Sequence, residues 1–254
     1  MTPISANTRS EAWLEALRYL KDKGDGVGYN IILSIENPTS YNQDERDIEE
    51  KLDRLLSRYN LSLNTIAQTI FPASEYRSYG VRGVYSIYPE KIYPKIKKDW
   101  GTYAYRLVRK SKNGTFFNPL EFLVDKMKNE LEKRGPKRAC YEISLSDPSF
   151  ECNLYQSDED YKRRMGGPCL SHLSFKINHQ EAKINLTAIY RSHYYIERAL
   201  GNLRGLGYLM GFVAEQVGLE VGELVVHSSY AQIDWYRKGK WKKSETSSFL
   251  KEIL

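Results

Sequence analysis

Cysteine is scarce in this chain: three in 254 residues, Cys140, Cys152 and Cys169. They cannot all pair with one another, and no CxxC pair is present, so neither a disulfide scaffold nor a zinc ribbon is expected, and no metal site. Long apolar runs are missing as well. No stretch approaches the roughly 18 residues needed to cross a bilayer. The opening MTPISANTRSEAW has no basic start leading into an apolar core, so no secretory leader is expected. These absences read as a protein of the reduced cytoplasm with no membrane role. Internal repeats and low-complexity linkers are also lacking. Charge is nearly balanced: 38 Lys and Arg against 32 Asp and Glu, a net +6. That excess gives only mild support to a nucleic-acid partner, although KIKK (95–98) and RKGKWKK (237–243) carry interleaved aromatics that keep such contact open.

What the chain does have is tyrosine, 20 residues of it, which supplies apolar area with a polar tip and suits clefts and interfaces. Hydrophobic residues at 41% and charged residues at 28% are ordinary for a globular protein and exclude wholesale disorder. Apolar residues recurring at helical spacing predict helices over 9–23 and 44–59. Asn118 and Pro119 open a helix over 118–134 that Gly135-Pro136 ends. Strand patterns cover Asn30–Glu36, Tyr141–Leu145, Leu170–Ile177, Lys183–Tyr190 and Gly222–Tyr230. Between them Asn202–Val217 reads as a buried helix, despite Gly205, Gly207 and Gly211, which cost about 1 kcal/mol each relative to Ala. Residues 76–105, rich in Tyr, Gly and Pro, read as irregular surface-lining chain, and the basic tail ends helix-like. Helices and strands mix without a βαβ rhythm. The expectation is one α+β domain over 1–254, a mixed sheet with flanking helices.

The chemistry concentrates in 166–230. Cys169 follows Gly166-Gly167-Pro168 at the mouth of a strand. A strand-end pair, Arg191-Ser192, precedes Asn202 by eleven residues, and Asn202 opens the apolar helix. Gly218-Leu219-Glu220-Val221-Gly222-Glu223 then leads into the last strand. A lone Cys is usually inert, and reactivity requires a cation that favours the thiolate. In this order and spacing, however, the residues resemble the thymidylate synthase superfamily. The likeness continues upstream in Gly101-Thr102-Tyr103-Ala104, with Tyr103 on the active-site tyrosine. It continues in Lys137-Arg138, similar to the family's paired arginines, of which only the second remains Arg.

The resemblance implies a thymidylate-synthase-like fold and one-carbon transfer, methyl or hydroxymethyl, to C5 of a pyrimidine nucleoside monophosphate. Cys169 is then the nucleophile at C6, Arg191 and Ser192 hold phosphate, and Asn202 reads the base edge. Lys137 and Arg138 reach the phosphate in a homodimeric partner, and 5,10-methylenetetrahydrofolate is the donor. The departures are specific. Leu170 follows the Cys in place of His, with His172 three residues on. Gln232 and Asp234 stand where the family's sugar-binding His and Tyr fall, and His193-Tyr194 where an Asp is expected. Gln68 occupies the region of the proton-handling Glu, with Glu75 and Glu90 as other carboxylates in that part of the chain. GDGVG (24–28) replaces an Arg-Thr-Gly turn, and SFLKEIL shows no folate-closing tail. A modified substrate or product fits these changes better than the standard reaction does. The rival expectation is a non-catalytic nucleotide-binding protein on the same fold.

Overall fold

The computed structural model describes residues 2–23, 25–96, 101–112, 115–133, 135, 140–145, 168–236 and 240–254. The first half runs β1 (Thr2–Ala6), α1 (Arg9–Asp22), β2 (Val27–Ile35), α2 (Gln43–Ser57), α3 (Leu63–Ile70) and α4 (Ala73–Arg82). A π-helical stretch, Gly83–Ile92, leads into α5 (Tyr93–Ile96) and α6 (Tyr103–Val108). The hairpin β3 (Lys110–Lys112) and β4 (Thr115–Phe117) precedes α7 (Pro119–Lys133). Then come β5 (Glu142–Ser144), β6 (Leu170–Asn178), β7 (Lys183–Tyr190) and β8 (His193–Tyr194). A π-helical turn, Tyr195–Ala199, feeds α8 (Leu200–Val217), followed by β9 (Glu220–Gln232) and α9 (Lys243–Ile253).

Among the described residues, seven strands form one mixed sheet in the order β1-β2-β9-β7-β6-β5, with β8 beside the end of β9. Alternation decides its two faces. Ile31, Leu33 and Ile35 of β2, Leu224 and Val226 of β9, Ile184, Leu186, Ala188 and Tyr190 of β7, and Leu173 and Phe175 of β6 are all buried. Helices α1 and α8 cover that face: Trp13, Leu17 and Leu20 of α1 and Leu203, Leu206 and Met210 of α8 are fully buried in the same core. The other face carries half-buried residues such as Ile32, Val225, His227 and Ile189.

Local chemistry sets the element ends. Thr8 and Glu11 form a reciprocal capping box at α1. Gly218, at φ 79°, closes α8 in the left-handed conformation that only Gly adopts cheaply. A Cβ on Gly222 would lie 2.1 Å from Oδ1 of Asn185, the atom that accepts the Glu223 amide at 3.0 Å. The Gly-x-x-x-Gly link is therefore a structural requirement of the α8–β9 connection.

The expected fold class stands, and most predicted elements fall within a few residues of their places. The main difference lies in 76–96 and 101–105, the described parts of the Tyr-rich segment, which are largely helical. Tyr, Gly and Pro weaken helix propensity, yet the segment is held by burial of Val84, Tyr88, Tyr93 and Tyr103. Its irregularity survives as a break at Gly80 (φ 58°) and as the π-helical stretch that carries Pro89. Strand β1, helix α3 and the β3–β4 hairpin gave no clear period in the sequence. They are short, and sheet pairing or packing on α8 stabilises them.

Candidate active site

Cys169 sits where the chain enters β6. The entry is fixed from two sides. Its carbonyl accepts the Arg191 amide at 2.9 Å. The Tyr103 hydroxyl, at the start of α6, accepts the amides of Cys169 at 3.1 Å and Leu170 at 3.3 Å. A β-bulge between Leu170 and His172 re-aims the strand immediately beyond. Cys169, Tyr103 and Arg191 are thus brought together.

The electrostatics correct one expectation. Arg191 does favour the Cys169 thiolate, and Arg198 does so too, but burial is the larger effect and pushes the thiol above its usual range. In this state Cys169 is a shielded thiol rather than an activated one. Burial also pushes the Tyr103 phenol up to about 12, so it keeps its proton at neutral pH. The Arg191 Nη2 is buried without a hydrogen-bond partner. A buried guanidinium nitrogen left unpaired is costly, and an anion would satisfy it.

Asn202 lies in the first turn of α8 and is 4% exposed. Its Nδ2 donates to Nε2 of His193 at 3.1 Å, and Nδ1 of His193 lies 3.0 Å from the Ser228 hydroxyl. The His193 ring stacks on Tyr190 at 4.0 Å and 3°. Tyr190 precedes Arg191, and its buried hydroxyl has no hydrogen-bond partner. Burial drives the His193 pKa down to about 3, so the ring is neutral.

The remaining candidates divide. Ser192 follows Arg191 and is half-buried. Gln232 is half-buried at the end of β9, opposite Tyr194 of β8. Lys137, Arg138 and Cys152 lie outside the described residues. Asp234 is structural: its two carboxylate oxygens accept the amides of Ile196 at 2.8 Å and Glu197 at 3.1 Å, holding the turn before α8. His172 faces the other side of the sheet and pairs with Glu142 at 2.8 Å. Gln68 is half-buried in α3. Glu90 is solvent-facing and pairs with Arg109 at 3.3 Å. Glu75 is half-buried in the first turn of α4, and its charge is felt at the Tyr88 hydroxyl. That hydroxyl bonds Thr102, the cap of α6, at 2.6 Å. Sequence reasoning missed Arg198, Tyr190 and Ser228. Arg198, seven residues past Arg191, could have been noted as a second cation on the same connection. Nothing in the sequence marks the other two.

Among the described residues no group of three His, Cys, Asp or Glu could hold a metal ion, and no helix is long and apolar enough to cross a membrane.

The sheet order and the buried helix carrying Asn202 define a thymidylate-synthase-like α+β fold. The chain superposes on the thermostable thymidylate synthase A of Bacillus subtilis with a TM-score of 0.52, over 96% of this chain and 84% of that one, at 13% identity. No family profile matches the chain. Three archaeal proteins, each named "Putative thymidylate synthase", align with parts of it. That of Methanothermobacter marburgensis is 39% identical over 110 residues, 43% of this chain and 42% of the relative. That of Methanothermobacter thermautotrophicus is 39% identical over 66 residues, 26% and 29% of the two chains. That of Methanosarcina mazei is 38% identical over 71 residues, 27% and 32%. The chain thus spans less than half the length of these curated relatives. In fold, and over less than half of its length in sequence, the chain is thus similar to thymidylate synthases.

Proposed function

We propose that the protein transfers a one-carbon unit, methyl or hydroxymethyl, to C5 of a pyrimidine nucleoside monophosphate in the cytoplasm. The observation that carries this reading is the unpaired, buried Nη2 of Arg191 beside Cys169, with Asn202 held nearby through His193. An anionic group on a small planar ligand would satisfy the guanidinium and lay the base over the sulfur. The Cys169 thiol gives up its proton to solvent and its sulfur bonds to C6, while the C5–C6 electron pair moves onto the C4 oxygen of a uracil base or N3 of a cytosine, which makes C5 nucleophilic. After C5 gains the one-carbon unit it gives up its proton, and the sulfur leaves C6 as the double bond re-forms. Tyr103 keeps the nucleophile's turn in place and carries a proton at its phenol throughout. The Ser192 hydroxyl adds a phosphate donor, and Gln232 faces the sugar.

The resemblance implies 5,10-methylenetetrahydrofolate as donor, and that group would supply the one-carbon unit at the formaldehyde level, with water completing a hydroxymethyl product or a hydride from the folate itself completing a methyl one. The described residues offer it no evident cradle. The C-terminal residues form α9, docked on α2 through the Arg54–Glu252 pair at 3.0 Å and the Tyr59–Glu245 contact. A homodimer is part of the proposal: the sheet face opposite the helices carries partly buried Ile32, Val225 and Ile189, suited to a second copy, and Lys137-Arg138 would serve the partner's phosphate.

The test is calorimetry with a pyrimidine nucleoside and its 5′-monophosphate, followed by mass spectrometry after incubation with a 5-fluoropyrimidine monophosphate and the folate donor. The monophosphate binds more tightly, Arg191→Ala erases most of that gain, and an adduct forms at Cys169. Equal affinity for nucleoside and monophosphate overturns the site. Tight monophosphate binding with no adduct favours the second reading, nucleotide binding without catalysis. The thiol raised by burial and Gln68 in place of a carboxylate are what support that alternative.

A further inference from the structure

We infer that His193, whose Nε2 accepts from the Asn202 amide while Nδ1 donates to Ser228, couples the orientation of that amide to its own tautomer and so sets which pyrimidine base the site accepts. The inference rests on the reading that Asn202 meets the base edge. Uracil offers an acceptor at O4 and a donor at N3; cytosine offers a donor at N4 and an acceptor at N3. One carboxamide, with a donor end and an acceptor end, pairs with either base, but in opposite orientations. A freely rotating amide would therefore discriminate poorly between them.

Asn202 is not free to rotate. Its Nδ2 lies 3.1 Å from His193 Nε2. Nδ2 can only donate, so Nε2 is the bare nitrogen and the ring proton sits on Nδ1, which donates to the Ser228 hydroxyl at 3.0 Å. Turning the amide over would present Oδ1 to a bare Nε2, setting two acceptors face to face. The turn is tolerated only if the ring proton moves to Nε2 and the Ser228 hydroxyl reverses with it. The three groups switch together or not at all. His193 is 1% exposed and Ser228 0%, so water cannot substitute for a lost partner. The Tyr190 ring, stacked at 4.0 Å and 3°, holds the imidazole plane. Ser228 and His193 lie on β9 and β8, neighbouring strands of one sheet, and Asn202 lies on the helix packed across it. The amide is thus referenced to the most rigid part of the fold. His193 is a positioning residue: it acts on the base through Asn202.

The experiment measures affinities of deoxyuridine and deoxycytidine monophosphates for the unaltered protein and for His193→Phe, His193→Gln and Ser228→Ala. Thermal melts of each variant report folding. Phe keeps the stacked ring and removes both nitrogens, whereas Gln can still accept from Asn202 Nδ2. The unaltered protein should prefer one base by tenfold or more. His193→Phe should bring the two affinities within about threefold, His193→Gln should restore part of the preference, and Ser228→Ala should lower it. The gain from nucleoside to monophosphate should stay the same throughout, because it belongs to Arg191. If His193→Phe does not fold, Ser228→Ala decides. An unchanged base ratio in the folded variants, or no base preference in the unaltered protein, overturns this inference alone. Failure of the unaltered protein to bind either monophosphate overturns both this inference and the proposed function.

Discussion

Cys169 shows how far residue identity and residue state can differ. The sequence identifies a cysteine at a strand mouth with an arginine 22 positions on, and both reach the site. What it cannot convey is burial, which outweighs the two arginines and raises the thiol. Alkylation by iodoacetamide should therefore still accelerate above pH 9, where an ordinary thiol, with a pKa of about 8.5, is levelling off. Arg191→Gln should move the profile to still higher pH. A rate plateau below pH 8, followed by peptide mass spectrometry, would show that the arginines win instead. Tyr103 gives a second residue-scale expectation. Its oxygen accepts two amides at the mouth of β6. Tyr103→Phe strands both donors, at about 1–3 kcal/mol, mostly from the buried Leu170 amide, since that of Cys169 is only partly buried. Urea unfolding should show a loss in that range, together with faster alkylation of Cys169 as its turn loosens. Unchanged stability would mean that water reaches those amides.

At the scale of elements, α8 is where sequence and structure agree most closely, for a reason that composition alone obscures. Its glycines look like defects in a helix, yet two of them let α8 approach α3. A Cβ on Gly201 would fall 2.6 Å from Ile66, and one on Gly205 would fall 2.6 Å from the Ala67 carbonyl oxygen. Gly211 is different: the nearest atom to its added Cβ is Thr39 Cγ2 at 3.9 Å, an ordinary contact. Gly211→Ala should accordingly stabilise the protein by about 0.5–1 kcal/mol through helix propensity. Gly205→Ala should destabilise it by about 1–3 kcal/mol, because backbone cannot yield to the new methyl group as a side chain would. Thermal unfolding of the two variants checks the contrast, and equal effects would refute it. Strong periodicity made α1, α2, α7 and α8 legible, and alternation did the same for β6, β7 and β9. Helix α3 and the Gly83–Ile92 stretch were not legible. One is a single short turn pair that exists against α8, and the other is held by buried tyrosines whose partners lie elsewhere in the chain. The Ser228–His193–Asn202 chain was hidden for the same reason: its members belong to three elements, and only the sheet order brings them together.

For the whole molecule, two buried titrating groups oppose one another. His193 is pushed from 6.5 down to about 3, so the fold accepts only its neutral form. Its contribution is complete above pH 6.5 and is lost as pH falls from 6.5 towards 3. Asp234 is pushed from 3.8 up to about 6, chiefly by burial, so the fold favours its protonated form. Its contribution is complete below 3.8 and is lost as pH rises through 6. Each group changes stability by about 1.4 kcal/mol per pH unit within its window, with opposite sign. Between pH 6 and 5 the contributions of these two groups cancel. The carboxylates whose pKa lies below the usual value, Glu142, Glu181 and Glu245, act only below about pH 4.5 and leave this window clear. Glu49, raised by burial, has the same sign as Asp234 but is present in every variant compared. Asp234→Asn removes one side of the balance while its amide oxygen retains one of the two backbone contacts that hold the turn before α8. The variant should lose about 1.4 kcal/mol more than the unaltered protein between pH 6.5 and 5, the part that Asp234 otherwise offsets between pH 6 and 5. His193→Phe should do the reverse and gain stability as pH falls from 6 to 5. Urea midpoints at pH 6.5, 6 and 5 for the three proteins measure both slopes. Parallel profiles would show that His193 and Asp234 do not titrate in the folded state as their burial requires.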